Sequence, residues 1–312
     1  MSLSEKTKTW LRVHCDLSLK GKTVLVTGAN SGVGFKTAEI AVYLGADVIL
    51  ACRNLEKAAT ARADLLKDYP GASVTVMQLD LASLQSIDAF VKELQHRAVD
   101  IDVFVNNAGV FRQPGKKTAD GFDLVIGTNY IGVYALSEQL LPYLAALPHK
   151  VVYIDTISMI HKIATVDYGD FYYEKEKRDR CFPIYARSKL CLAKYTYAKA
   201  KQYEKSNIRV IMNHPGMTVT PMELKAFGNG VRRLAGFVGP LSNSPEKSAL
   251  SLAYILSHDV PAGAIVGPNK GFGGWGYPEI NRVGRRVKEG AEELIRFTDR
   301  EIEKAKGRST DR

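Results

Sequence analysis

The chain has 312 residues, 46% hydrophobic and 24% charged, a balance that excludes a fibrous or disordered polymer and points to a soluble globular protein of one or two domains. Its formal net charge of +10 is spread over helix-like faces and not gathered into a basic stripe interleaved with aromatics, so nucleic acid is not an expected partner. No apolar run approaches the ~20 residues of a membrane span, and the four cysteines show neither C-x-x-C pairing nor metal spacing with histidine, which predicts free thiols, no metal site and a cytoplasmic location.

Residues 1–19 read as an N-terminal extension without the apolar core of a signal peptide, with a short amphipathic segment at 10–17. From Lys22 onward, short apolar runs alternate with longer stretches of helical period. Strands are predicted at 23–27, 47–52, 73–79, 103–106, 150–154 and 208–213, with a last short one at 263–267. Helices are predicted at 35–44, 55–68, near 83–97, at 120–146 and at 185–205, and Ser244-Pro245-Glu246 reads as a helix start. Continuous Val/Ile/Leu strands alternating with helices predict an α/β fold: a doubly wound, mostly parallel sheet of about seven strands, with helices on both faces and ligands at the carboxyl ends of the strands. One domain is expected over 20–280, followed by a charged helical tail at 281–312. Two stretches break the rhythm after predicted strand ends, 161–184 and 217–243; the second, with Met217, Met222, Leu224, Phe227, Leu234 and Phe237, reads either as an apolar lid or as a core helix.

Directly after the first strand comes Thr27-Gly28-Ala29-Asn30-Ser31-Gly32-Val33-Gly34. Gly28 permits a tight turn, Gly32 lets a pyrophosphate approach the backbone, and Gly34 allows close helix–strand packing. The helix that opens there, with Asn30, Ser31 and Val33 in its entry turn, offers unpaired N–H groups to phosphates. The second strand ends in Cys52-Arg53-Asn54, with no Asp or Glu at 50–54; Arg53 matches a ribose 2′-phosphate better than a 2′-hydroxyl, which favours NADP(H) over NAD(H). Asp80 and Leu81 end the third strand, where they would frame an adenine. Asn106-Asn107-Ala108-Gly109 ends the fourth, with small residues that let a cofactor lie near the backbone. Tyr185 and Lys189 stand four apart and so share one face of a helix. A free phenol has a pKa near ~10, and a fixed cation beside it favours phenolate, making it a usable acid or base near neutral pH.

Together these motifs resemble the short-chain dehydrogenase/reductase family. Thr27-Gly28-x3-Gly32-x-Gly34, Asn106-Asn107-Ala108-Gly109, Tyr185-x3-Lys189 and Pro215-Gly216 stand in the family's order over roughly 20–280. Ala51-Cys52-Arg53-Asn54, Thr118-Ala119-Asp120-Gly121-Phe122 and Thr128-Asn129-Tyr130 look most like the retinol-dehydrogenase and protochlorophyllide-reductase branch, which generally uses NADP(H). The resemblance implies a tetrad of Asn, Ser, Tyr and Lys: Asn129 near the lysine, Tyr185 as acid/base, and Lys189 binding the nicotinamide ribose and lowering the tyrosine's pKa. At the serine position the chain departs, reading Asp155-Thr156-Ile157-Ser158. Register places Thr156 there, with Ser158 as the candidate if the strand end bulges. The resemblance also implies that the backbone at Pro215-Gly216 meets the nicotinamide carboxamide, with Thr218 or Thr220 donating a hydroxyl. His214 is expected to pack beside that loop, and His161 to be a solvated loop residue or to line the pocket.

The implied activity is NADP(H)-dependent interconversion of an alcohol and a carbonyl on a small hydrophobic molecule. The alternative from another class is a cofactor-binding regulatory or scaffold protein with little turnover. A light-driven pigment reductase is a further reading, and homodimer and homotetramer both stay open.

Overall fold

The computed structural model describes residues 2–175, 181–218 and 242–310. After helix α1 (Glu5–His14) the chain runs β1 (Thr23–Thr27), α2 (Gly32–Tyr43), β2 (Asp47–Cys52), α3 (Leu55–Asp68), β3 (Val74–Gln78), α4 (Leu84–His96) and β4 (Val103–Asn106). A short helix α5 (Leu124–Ile126) leads through a π-helical turn (Gly127–Ile131) into α6 (Gly132–Ala145), followed by β5 (Val151–Thr156), α7 (Cys181–Gln202) and β6 (Ile208–Asn213). The chain closes with α8 (Pro245–Ser257), β7 (Ile265–Lys270), β8 (Trp275–Asn281), α9 (Arg285–Lys288) and α10 (Ala291–Thr310).

The strands form one sheet in the order β3-β2-β1-β4-β5-β6-β7-β8. All pairings are parallel except the last, β7 with β8. This is the predicted doubly wound sheet, with an eighth strand added at the edge. Strand alternation divides the core into two layers. Leu25, Ile49, Phe104, Tyr153 and Val210 point into the layer shared with α4, α6 and α7. Val24, Val26, Leu50, Val105, Ile154 and Ile211 point into the layer shared with residues of α2, α3 and α8, such as Ala38, Ala58 and Leu252. Both faces are therefore dry, which is why the strands read as unbroken apolar runs.

Several helix starts follow from their caps. The side chains of Asn54, Ser83 and Ser244 accept hydrogen bonds from the first-turn amides of α3, α4 and α8, and Pro245 sits where its missing N–H costs nothing. Helix α2 starts earlier than its hydrophobic period suggested, at Gly32, because the glycine-rich turn itself supplies its first turn. The segment expected at 10–17 is the end of α1, whose Leu11 is buried in a small cluster with Ile40, Leu250 and Ala253.

Sheet order reverses between β1 and β4, so the loops after these two strands diverge and leave a crevice at their carboxyl ends. Every motif singled out above lies on a segment leaving that edge.

Candidate active site

The turn after β1 is built by close approach. Gly28 has φ +66°, and a Cβ there would stand 2.9 Å from the Ala108 Cα. A Cβ on Gly34 would stand 2.7 Å from the Gly28 carbonyl oxygen and closer still to the Asn107 side-chain amide. Thr27 ties the two strand ends together: its Oγ1 accepts from the backbone N–H groups of Asn107 and Ala108, both at 3.0 Å, and its carbonyl accepts from Asn107 Nδ2 at 3.0 Å. Ser31 precedes α2 without making a side-chain cap, so the first amides of that helix are left to a ligand. A surface without side chains beside an uncapped helix N-terminus fits a dinucleotide pyrophosphate.

Arg53 is exposed just past β2 and is followed by Asn54, whose Oδ1 accepts from Lys57 N at 2.8 Å. Asp80 is partly buried and shapes its own turn, accepting from the Ala82 amide at 2.9 Å, while Leu81 is buried beside it.

A second group of candidates converges where β4, the π-helical turn, β5 and α7 meet. Lys189 Nζ donates to the Thr156 carbonyl at 2.7 Å and lies 6.0 Å from the centre of the Tyr185 ring. Phe111 meets the same ring edge-on at 4.9 Å. Asn129 sits in the π-helical turn, the kind of local widening that redirects a side chain. Its Oδ1 accepts from Val110 N at 2.7 Å, and its Nδ2 donates to Val110 O at 2.8 Å and to Ser188 Oγ at 3.3 Å. These bonds hold Gly109 so close that a side chain on it would stand 3.1 Å from Asn129 Oδ1 and 3.7 Å from Lys189 Nζ. Strand β5 keeps regular register with β6 through Thr156↔Asn213, without a bulge. Thr156 is buried, and among the described residues its Oγ1 has no hydrogen-bond partner, an unspent donor at the strand end. Ser158 lies beyond the strand and starts a short 3-10 turn.

Burial pushes the Lys189 amine down to about 8, and the nearby Asp155 carboxylate opposes that shift. Burial likewise pushes Asp155 up to about 6, against hydrogen bonds from Thr196 and Asn106 and the attraction of Lys189. Neither Asp155 nor its partner Thr196 stood among the expected site residues. The signal available was a carboxylate in the apolar run Val-Val-Tyr-Ile-Asp-Thr. Arg187 was also missed. It is buried inside the Tyr-x3-Lys motif, donates Nε to Thr165 O at 3.0 Å and Nη1 to the carbonyls of Asp170 (2.6 Å) and Phe171 (2.9 Å), and stacks 3.7 Å over the Tyr173 ring. It thus pins the segment after β5 onto α7.

On the β6 side, Gly216 has φ +79° and packs under the turn between β7 and β8, where Met217 N donates to Gly274 O at 2.7 Å. Pro215 accepts from Ser248 Oγ at 2.8 Å, and the Thr218 hydroxyl shares a 2.7 Å hydrogen bond with Ser248. Thr218 is therefore engaged with α8. Thr220 and positions 219–241 of the expected lid lie outside the described residues. His214 is buried beneath Gly267 and Gly273, and desolvation drives its ring down to about 3, so it is neutral. His161, expected in solvent, is instead buried and hydrogen-bonds through Nδ1 to Ser158 O at 2.6 Å; the 3-10 turn folds it inward.

Beside the N-terminal end of α7 lies a cavity of about 520 Å³, bounded by Phe122, Val125, Cys181 and Ile184 with Lys116 and Glu301. Among the described residues no helix is long and apolar enough to cross a membrane, and no group of three His, Cys, Asp or Glu side chains is placed to hold a metal ion.

A family model described as short chain dehydrogenase matches residues 22–165. Human retinol dehydrogenase 13 (Homo sapiens) is 32% identical over 243 residues, covering 76% of this chain and 72% of that protein. Human retinol dehydrogenase 14 is 37% identical over 216 residues, covering 65% and 63%. Among solved structures, an uncharacterized protein from Mycobacterium Paratuberculosis superposes with a TM-score of 0.73 at 27% identity, over 92% of this chain and 95% of that one. Levodione reductase does so with a TM-score of 0.64 at 26% identity, over 78% and 94%.

Proposed function

The chain belongs to the short-chain dehydrogenase/reductase family, on its retinol-dehydrogenase-like side, and is an oxidoreductase of CH–OH groups; from that premise we propose that it interconverts an alcohol and a carbonyl on a hydrophobic small molecule, with NADP(H) as cofactor and Tyr185 as the acid/base. The observation that carries this reading is the meeting of Tyr185, Lys189, Thr156 and the Asn129-held Gly109 backbone at the carboxyl ends of β4 and β5.

When bound, the nicotinamide ring supplies or accepts the hydride. The Tyr185 hydroxyl gives its proton to the carbonyl oxygen in reduction and takes it back in oxidation. Lys189, as an ammonium anchored on the Thr156 carbonyl, stabilises the phenolate half of that cycle. The Thr156 hydroxyl, without a partner among the described residues, donates to the same substrate oxygen and stabilises charge as it develops there. Unbroken strand register is why Thr156 is assigned this part over Ser158. Asn129 spends its side chain on Val110 and so positions the Gly109 backbone against Lys189.

At the other end of the crevice, Gly28, Gly32 and Gly34 with the amides of α2 receive the pyrophosphate. Arg53 contacts the ribose 2′-phosphate, a role supported by its exposure just past β2 and the lack of an acid at 50–54. Four buried cysteines, none of them in a disulfide, fit a reducing compartment, and the cytoplasm is the proposed location.

The test is a screen of NADPH oxidation against aldehydes, ketones and quinones, with Tyr185→Phe as control. The variant should bind NADPH nearly as the parent does while losing turnover by at least a hundredfold. Equal turnover would remove the phenol from the chemistry, and NADPH binding with no turnover on any carbonyl would favour a regulatory role.

A further inference from the structure

We propose that Asp155 is a positioning residue for the Tyr185–Lys189 pair: a buried counter-charge, clamped between β4 and α7, that keeps Lys189 an ammonium. The proposal rests on the catalytic reading above only for its consequence in turnover; the placement of the charge stands by itself.

Asp155 is fully buried on β5, one residue before the carbonyl that holds Lys189. Both of its oxygens are occupied: Oδ1 accepts from Asn106 Nδ2 at 2.8 Å and Oδ2 from Thr196 Oγ1 at 2.7 Å. Asn106 Nδ2 also donates to the Tyr153 hydroxyl at 2.6 Å, and Tyr153 is joined to Ser137 of α6. The clamp thus draws on β4, β5, α6 and α7, and it aims two donors at a carboxylate, an arrangement that favours the ionised form. The ammonium of Lys189 is equally enclosed, 4% of the residue being exposed. Among the described residues its hydrogen bond is to the neutral Thr156 carbonyl. A buried ammonium without a counter-charge gives up its proton at lower pH.

The groups facing Asp155 are Asn106 from β4, Tyr153 from its own strand, and Thr196, Tyr195 and Lys189 from α7. Burial holds the phenols of Tyr153 and Tyr195 well above their usual range, so both stay neutral. Glu138, which acts on those two phenols, is itself paired with Lys199 at 2.6 Å. Beside Lys189 also stand the Tyr185 ring and the Gly109 backbone, neither of them an acid. Among the described residues, Asp155 is therefore the acid that bears on Lys189.

Asp155→Asn isolates the charge. A carboxamide can accept from Asn106 and donate to Thr196, whose hydroxyl then donates to the Leu192 carbonyl already 2.7 Å away, so no buried polar group is stranded. The Lys189 titration is followed by NMR in cofactor-free protein labelled with ¹³Cε-lysine, assigned by the resonance lost in Lys189→Arg. In Asp155→Asn its midpoint should fall by about one unit or more. The alkaline limb of kcat/KM should move acidward by the same amount, cutting turnover near pH 8 roughly fivefold. In the parent, the Lys189 resonance should carry a second inflection where Asp155 ionises, a readout that needs no variant to fold. A Lys189 midpoint unchanged in Asp155→Asn, or a parent resonance without that inflection, overturns the proposal. A parent without carbonyl turnover whose Lys189 midpoint still follows Asp155 would sink the catalytic reading alone.

Discussion

Arg187→Met tests whether the motif helix also secures the substrate side of the crevice. The parent guanidinium makes three hydrogen bonds to the carbonyls of Thr165, Asp170 and Phe171 and stacks on Tyr173. A bond from a charged donor contributes ~1.5–3 kcal/mol net, and the stack ~0.5–2 kcal/mol. Only the bond to Phe171 is fully buried; water can replace the other two in part, and methionine removes the cost of burying a charge while keeping most of the packing. The net loss is then about 3 kcal/mol, a lowering of the melting temperature by about 5 °C for a chain of this size if the transition is cooperative. Hydrogen exchange should show amides of 165–173 losing protection before those of β1 and β2. KM should rise, while dinucleotide affinity, set at the far end of the crevice, should change less than twofold. Arg187→Lys should fall between, since one ammonium cannot span three carbonyls in the fixed geometry of a guanidinium. A methionine variant that melts within 1 °C of the parent and keeps the 165–173 protection would refute the pinning role.

Gly34→Ala should weaken NADPH binding at least tenfold in a fluorescence titration, because the methyl must displace Asn107 or the Gly28 carbonyl; an unchanged Kd would show that the cradle tolerates a side chain. Arg53→Asp should lower the NADPH-over-NADH preference at least tenfold through loss of the cation and added repulsion, and an unaltered ratio would take Arg53 out of cofactor choice. His149 hydrogen-bonds Asp100, which raises its pKa. Its contribution is present below the unfolded value near ~6.5 and is lost as pH rises through the higher folded value. His149→Gln should therefore cost stability at pH 5.5 and nothing at pH 9, by no more than ~1 kcal/mol for a solvent-screened pair; denaturant melts showing equal effects at both pH values would contradict the assignment.

The sheet was legible because burial on both faces leaves a simple trace: β1, β2 and β6 are short apolar runs, and their residues alternate between two dry layers. Strand β8 left no such trace. As an antiparallel edge strand carrying Gly276 and Pro278, it satisfies geometry that its composition argues against. The glycine turn and the Tyr185–Lys189 spacing were legible because each encodes a local constraint, a positive φ or a shared helix face. Asp155, Arg187 and His161 were not. Each depends on what another segment brings to it: Asn106 and Thr196 to the carboxylate, three loop carbonyls to the guanidinium, and a 3-10 turn that folds an imidazole inward. Periodicity reports which way a residue points along its own element, and a polar residue's partner on a distant segment lies beyond it.

Three tyrosines grip helix α10 from three places: Tyr130 in the π-helical turn shares a hydrogen bond with Thr298, Tyr134 of α6 donates to Asp299, and Tyr172 after β5 donates to Glu301. Leu294 and Thr298 are sealed against the body. Clipping or fusing the protein just before this helix would strand the Tyr130 hydroxyl in the interior and slacken the turn that carries Asn129. Damage done far along the chain from the Tyr185 motif would then be felt as a change in turnover.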